Sequence, residues 1–369
     1  MNNPIHIVCL DAPSPPDYGG AIDMYYKIIA LAQSGRKIIL HFFDYNNSRG
    51  VKGLEEWCSE IHAYKRKGIS SVSLQVPYII NSRINRQLIE KLNKYEYPIL
   101  LEGLHCSGII PFINKKERIV VRMHNEEAEY YKRLAAQEQG MVRRLYFSLE
   151  SRLIHKYYKR LAQYPVKYAC LSSLDMEKFQ GAGLRQFHFI PCFIPWQEIR
   201  IREGKGDYCL YHGNMKVAEN VKAAEWLAAV FRKLDMVLVI AGNGISGQLK
   251  SLAKNAGNLR LIDRPSMEEL DALIRDAHIN VLPSMNATGV KLKVLHALTE
   301  GRFCISNQQG VAGSGVEHLV TIANNKDDFR KKLIELYEIA FTEEHKKNRG
   351  EVLAVYNNIK NAAKLNALY

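Results

Sequence analysis

Along the chain, short apolar runs alternate with longer segments in which apolar residues recur every three or four positions. The short runs stand at 5–10, 37–43, 60–64, 98–102, 118–123, 167–172 and 187–190, and again at 208–212, 237–241, 259–262 and 278–282. Largely apolar runs of so few residues, without regular polar alternation, predict strands covered on both faces, which is how parallel sheets are built. Helical spacing fills the intervals, at about 21–34, from Glu126 to about 162, through an Ala-rich stretch to Lys233, and near 246–256 and 266–276. Such alternation predicts α/β units with parallel strands. The pattern runs as two series. Between them lie Ile190-Pro191-Cys192-Phe193-Ile194-Pro195-Trp196 and a polar run from Arg200 to Asp207, which read as a linker. The expected domains are therefore 1–195, joined by a terminal helical pattern at about 350–369, and 196–349.

The stretch with most chemical promise is Thr288-Gly289-Val290-Lys291-Leu292-Lys293-Val294-Leu295-His296-Ala297-Leu298, closing with Glu300-Gly301. It follows the strand-like 278–282 run and its Pro283-Ser284 exit. Thr288 reads as an N-cap, with Val290, Val294, Leu295 and Leu298 at helical spacing behind it. A helix opening there would aim free N–H groups and its positive dipole end at an anion, with two lysines on its first turns.

Composition narrows the class. The residues are 47% hydrophobic and 24% charged, as in ordinary globular proteins. No eighteen-residue apolar run predicts a membrane span, and the start reads as a strand, not a signal peptide. Seven cysteines without a CxxC pair argue for a reducing cytoplasm and against a disulfide framework or zinc site. Net charge is +13, and residues 1–195 carry 27 Lys and Arg against 18 Asp and Glu. The excess gathers between Lys132 and Lys167, where only Glu138 and Glu150 oppose nine cationic residues. That stretch is expected either to be a solvated face or to meet an anionic partner, such as an anionic membrane surface or a phosphorylated acceptor. Nucleic acid is not the expected partner.

Two further spots stand at strand ends, where open α/β sheets place ligands. Gly19-Gly20, just before the helix expected from about 21, lets a ligand approach the backbone. His124-Asn125-Glu126-Glu127 directly follows the 118–123 run.

With these motifs in order, most of the chain resembles the family 4-like glycosyltransferases of the GT-B fold. The resemblance rests on Gly19-Gly20, His124-Asn125 with Glu127, Gly213-Asn214-Met215, Val239-Ile240-Ala241-Gly242-Asn243-Gly244, and the Thr288-to-Gly301 stretch. The 351–368 pattern is similar to the terminal helix that crosses back onto the first domain in this fold. It implies an α/β architecture of two facing Rossmann-like domains with a cleft between, and transfer of a sugar from a nucleotide-sugar donor to a hydroxyl acceptor, usually with retention. The second domain would bind the donor and the first a saccharide or lipid-linked acceptor. No cofactor is implied, because the nucleotide-sugar is a co-substrate. By position, Gly19 and Gly20 would offer N–H groups to the diphosphate and Lys293 would neutralise it as it leaves. Thr288, Gly289, Lys291, Lys216 and Gly242 would complete the donor seat, and Arg264 would stand where the family holds the base. His124 would sit beside the sugar and acceptor, with Asn125 and Glu127 on the acceptor side. No Asp-x-Asp occurs, so no metal is indicated and protein cations must carry the diphosphate.

Two departures accompany the resemblance. The family's paired glutamates fall on Thr288 and His296, and Asn214 stands near a common phosphate-binding arginine. His296 could still reach a ribose hydroxyl through a ring nitrogen, its ring oriented by Glu300 one turn on. The alternative is a degenerate GT-B protein that serves as a binding or assembly partner without catalysis. A sugar-nucleotide epimerase would need an acid/base pair that the sequence does not display. A dinucleotide oxidoreductase would need G-x-G-x-x-G after the first strand, which is missing.

Overall fold

The computed structural model describes residues 4–44 and 49–369, and the chain divides into two compact units, Met1–Pro195 with Tyr356–Tyr369, and Trp196–Val355. Among the described residues of the first unit, seven strands form one parallel sheet. They are β1 (Ile5–Cys9), β2 (Ile38–Asp44), β3 (Cys58–Lys65), β4 (Ile99–Glu102), β5 (Ile119–Met123), β6 (Lys167–Cys170) and β7 (Phe187–Phe189), in the order β3-β2-β1-β4-β5-β6-β7. Every residue of β1 is buried, and successive side chains enter different cores. Val8, Leu101 and Val121 join one with Leu88, Ile109, Ile154 and Tyr158, whereas Ile7, Leu100 and Val120 join the other with Met24, Ile28 and Leu365. Both faces are covered, which is why these runs show no polar alternation.

The helices of this unit are α1 (Gly19–Gln33), α2 (Tyr78–Asn81), α3 (Arg86–Lys94), α4 (Glu127–Gln137), α5 (Met141–Leu161) and α6 (Ser173–Gly181). The helical pattern that began at Glu126 is thus two helices, broken at Glu138 and at Gly140, the residue preceding α5.

In the second unit, β8 (Cys209–His212), β9 (Leu238–Gly242), β10 (Leu259–Asp263), β11 (Ile279–Val281), β12 (Phe303–Ser306) and β13 (Thr321–Ile322) form a parallel sheet in the order β10-β9-β8-β11-β12-β13. Strands β12 and β13 are not among the expected runs; β13, with two residues, is too short to show any period. Helices α7 (Ala218–Phe231), α8 (Gly247–Asn255), α9 (Met267–Asp276) and α10 (Leu292–Glu300) follow successive strands, and α11 (Gln308–Val311), α12 (Lys326–Glu338), α13 (Glu343–Lys347) and α14 (Gly350–Val355) complete the unit. The terminal pattern, similar to one long helix, is two. Asn357 starts α15 (Asn358–Asn366) afresh by accepting from the N–H of Lys360 at 2.8 Å. Helix α15 belongs to the first unit, where Arg36 donates to Asn366 at 2.9 Å and Asn358 donates to the Ile194 carbonyl at 2.8 Å. No helix among the described residues is long and apolar enough to cross a membrane.

Candidate active site

In the second unit the strand order turns at β8, which has β9 on one side and β11 on the other. Such a switch point opens a crevice beyond the strands' carboxyl ends. The loop after β11, residues 282–291, is wound around Asn286 there. Asn286 Oδ1 receives Lys291 Nζ at 2.5 Å and both the N–H and hydroxyl of Thr288 at 3.3 Å, while its amide donates to Glu219. Ser284 is tied in turn to Asn307 at 2.9 and 2.8 Å. This wrapping corrects the expected helix start. Thr288 is not the N-cap; Gly289 adopts a left-handed φ of 65°, and the helix opens at Leu292 with Lys291 preceding it.

A cavity of about 150 Å³ remains beside this loop, lined by Glu219, Asn220, Ser284, Asn286, Lys291 and Lys293. It suits a phosphate group and is well below the 300–1,000 Å³ of a site enclosing a whole small ligand. Lys293 is half-buried, its ammonium 4.6 Å from the Tyr211 ring centroid and 3.4 Å from the Tyr211 hydroxyl. Burial, reinforced by the Lys291 ammonium, pulls Lys293 down to about 7. An amine so placed is ready to take up a proton when an anion arrives.

The glycines around β8 and β9 permit a close approach of backbone. A Cβ on Gly242 would lie within 1.8 Å of the Gly213 carbonyl oxygen. Asn214 and Lys216 are exposed, and Asn214 Oδ1 accepts from the Lys216 N–H at 3.0 Å. Arg264 is exposed just after β10 with a left-handed φ of 56°, and its N–H donates to the Gly242 carbonyl. All of these lie at the carboxyl ends of β8, β9 and β10.

His296 is placed differently from its expected partnership with Glu300. Glu300 is held by Arg275 at 2.6 Å, whereas the buried His296 ring stacks on Trp196 with centroids 4.0 Å apart. Its Nε2 is 3.1 Å from Asp271 Oδ1, yet the two are out of hydrogen-bond alignment. His212 Nε2 nearby also lacks a partner among the described residues, so within them three buried polar atoms stand unsatisfied together at the end of β8. Unmet polar atoms so clustered call for a ligand hydroxyl or water.

In the first unit the order turns at β1, between β2 and β4. Helix α1 opens there at Gly19-Gly20 behind Tyr18, two residues before the expected start. Beneath it sits a cluster with no signature in the sequence. Lys27 is 2.7 Å from Asp23 and 2.9 Å from Glu102; Arg122 is 3.0 Å from Asp23; and His124 Nε2 is 2.9 Å from Glu102. All five are buried. Burial alone would raise the Asp23 carboxyl, but Arg122 and Lys27 outweigh it and hold it well below the carboxylate range. Lys27 and His124 likewise overcome the burial of Glu102 and lower it. The ligand atoms of Asp23, Glu102 and His124 lie within 4.8 Å of one another, but the Lys27 ammonium already supplies a cation between the carboxylates.

His124 is therefore a buried partner of Glu102, and α4 behind it is capped by Glu126, which accepts from the Glu129 N–H at 2.6 Å. Glu102 Oε1 and His105 Nδ1 are buried here without partners among the described residues. Burial, helped by neighbouring Glu126 and opposed by Asn125, pushes the Glu127 carboxyl up to about 8. Between its ordinary 4.5 and 8 the folded state keeps a proton the unfolded chain has lost, so this group's stability contribution falls as pH rises through that window. Glu127→Gln should remove the slope: its melting temperature should gain on the parent's steadily from pH 5 to pH 8. Parallel curves for the two proteins would assign the proton elsewhere.

The order of two parallel sheets and their helices defines the GT-B class of proteins. TarM of S. aureus superposes with a TM-score of 0.70 at 11% identity, over 100% of this chain and 99% of its own. HepE of Anabaena, solved in complex with UDP-glucose, gives 0.67 at 10% identity over 100% of both chains. Residues 206–338, most of the second unit, match the family described as glycosyl transferases group 1. A curated relative, described as an uncharacterized 44.6 kDa protein in the cps region of Klebsiella pneumoniae, is 27% identical over 352 residues, 89% of this chain and 90% of that one.

Proposed function

We propose that the chain transfers a sugar from a nucleotide-sugar, seated on the second unit, to a hydroxyl of a saccharide or lipid-linked acceptor met by the first, in synthesis of a surface polysaccharide. The observation that carries this is the small cavity with Lys291 and Lys293 at the opening of α10, within the segment that matches the group 1 family. The UDP-glucose held by HepE and the cps-region setting of the Klebsiella relative support the donor class and the pathway type. In the reaction the bond from the anomeric carbon to the diphosphate breaks and one to the acceptor oxygen forms, with retained configuration. The acceptor proton departs and a nucleoside diphosphate is released. Lys293, Lys291 and the first N–H groups of α10 meet the charge that grows on the leaving oxygen, the part a metal takes elsewhere. The unsatisfied His212–His296–Asp271 group is offered to donor hydroxyls.

A second reading has its own observation. Thr288 and His296 replace the family's two glutamates, and His296 is buried against Trp196. A binding protein without turnover would tolerate that. A thermal-shift screen against UDP-, GDP-, ADP- and CMP-sugars followed by a turnover assay separates the two. We expect one donor to raise the melting temperature, and His124→Ala to keep that donor shift while losing tenfold or more in turnover. A donor shift without transfer or donor hydrolysis would favour the binding protein, and no shift with any donor would remove the donor seat.

A further inference from the structure

The basic stretch between Lys132 and Lys167 resolves into the hairpin of α4 and α5, whose chemistry has no part in the donor seat. Helix α5 has two halves. From Glu150 onward it buries Leu153, Ile154, Tyr157, Tyr158 and Leu161, but none of the residues from Met141 to Leu149 is buried. This outer half is nonetheless apolar at its start: Met141, Val142 and Leu145 are 85, 83 and 69% exposed. Apolar side chains so placed gain nothing for the fold, and grouped together they mark a surface that another phase or partner covers.

The same helix face continues into positive charge. Met141, Leu145, Arg152, His155, Lys156 and Lys159 recur at helical spacing and are all exposed. Behind them a cavity of about 690 Å³ opens between α4, α5 and α6, edged by Lys132, Arg133, Arg152, His155, Lys156 and Lys178. The acidic side chains facing it are Glu126, which caps α4, and Glu129, already paired with Arg133 at 3.3 Å and Lys132 at 3.7 Å. Among the described residues, Arg144, Arg152, Lys156, Lys159 and Arg160 form no ion pair. Arg152 lies eleven residues beyond Met141, about 16 Å along the helix. A flat surface touching this face would meet apolar side chains at one end and an unneutralised basic hollow at the other.

We propose that this hairpin docks the protein on an anionic lipid bilayer, with Met141, Val142 and Leu145 entering the interface and the basic cavity receiving lipid phosphate headgroups. The sequence of apolar tip and cationic face is what an interfacial helix requires, since apolar burial and attraction to anionic headgroups act together. A soluble polyanion would use the charge and leave the tip idle; a neutral protein partner would use the tip and leave the charge idle. The inference stands independently of the donor seat.

The test is sedimentation of the full chain with vesicles of phosphatidylcholine alone and of phosphatidylcholine with 30% (about one lipid in three) phosphatidylglycerol. The parent should partition about tenfold or more in favour of the anionic vesicles, and should be released as salt rises. Met141→Ser/Val142→Ser/Leu145→Ser and, separately, Arg152→Glu/Lys156→Glu should each lose about tenfold of that partition. Both sets alter exposed residues, and unchanged melting temperature and nucleotide-sugar binding would confirm that the fold and donor seat are intact. A blue shift of added tryptophan emission in Val142→Trp on anionic vesicles would place the tip in the interface. Equal partition to both vesicle types, or parent-like partition by either variant set, overturns the proposal. So does a hairpin that binds an oligonucleotide with the charge reversal abolishing it while the apolar triple variant binds vesicles normally.

Discussion

Replacing Lys293 with alanine is expected to weaken nucleotide-sugar binding by one to two orders of magnitude. A hydrogen bond to a charged group contributes about 1.5–3 kcal/mol, equivalent to roughly 10–150-fold in affinity. The Lys291 ammonium, held by Asn286 and the Thr288 carbonyl at 2.5 Å, is already engaged, so its loss should act more through the loop than through the ligand. The protonation of Lys293 makes the assignment sharper. Burial draws it to about 7 in the free protein, and a docked diphosphate would raise it again. Binding should therefore take up a proton at neutral pH, and affinity should fall as pH climbs above 7. Calorimetric titration at pH 8 in two buffers of different ionisation enthalpy reads the proton directly. For Lys293→Ala both the proton uptake and the pH dependence should vanish. A variant that binds like the parent would mean that the diphosphate is held elsewhere.

The second large effect concerns stability. Lys27 is fully buried between Asp23 and Glu102, and Lys27→Met leaves two carboxylates without one of their cations. Breaking a buried ionic group in this way costs about 3–5 kcal/mol. For a unit of this size that corresponds to roughly 6–20 °C in melting temperature. The exposed pair of Lys115 and Glu96, at 2.6 Å, is the natural comparison, because both side chains stay in water. Lys115→Met should change stability by about 1 kcal/mol or less despite the shorter distance. Burial, not distance, decides between them. Adding Glu102→Gln to Lys27→Met should restore part of the loss, since it removes the orphaned charge. Denaturant unfolding of the four proteins measures each term. Equal losses for Lys27→Met and Lys115→Met would show that the buried group is solvated.

The sequence by itself determined the alternation of strands and helices, because a strand covered on both faces is apolar at most positions, as β1 is from Ile5 to Cys9 with His6 as the exception. It determined the two series, the Gly19-Gly20 pair at the head of α1, and the lysines beside the end of β11, since helical spacing and glycine are local signals. What it could not reach were the two-residue β13, too short to show a period, and places where tertiary contacts override local preference. Thr288 has the chemistry of an N-cap, but Asn286 claims its hydroxyl and the chain turns at Gly289 before α10 begins. Glu300 has the spacing to orient His296, but Arg275 on α9 takes it and Trp196 covers the ring. The ionic group of Asp23, Lys27, Glu102, Arg122 and His124 is the clearest case. Glu102 is 75 residues from Lys27 and Arg122 is 99 from Asp23. Nothing along the chain shows these partnerships, and only the parallel order β1-β4-β5 beneath α1 brings them into one desolvated space where they must pair. The basic stretch after Lys132 was legible as charge. That its apolar start stands clear of the core was decided by where α5 meets the sheet, with Glu150 as its first buried residue.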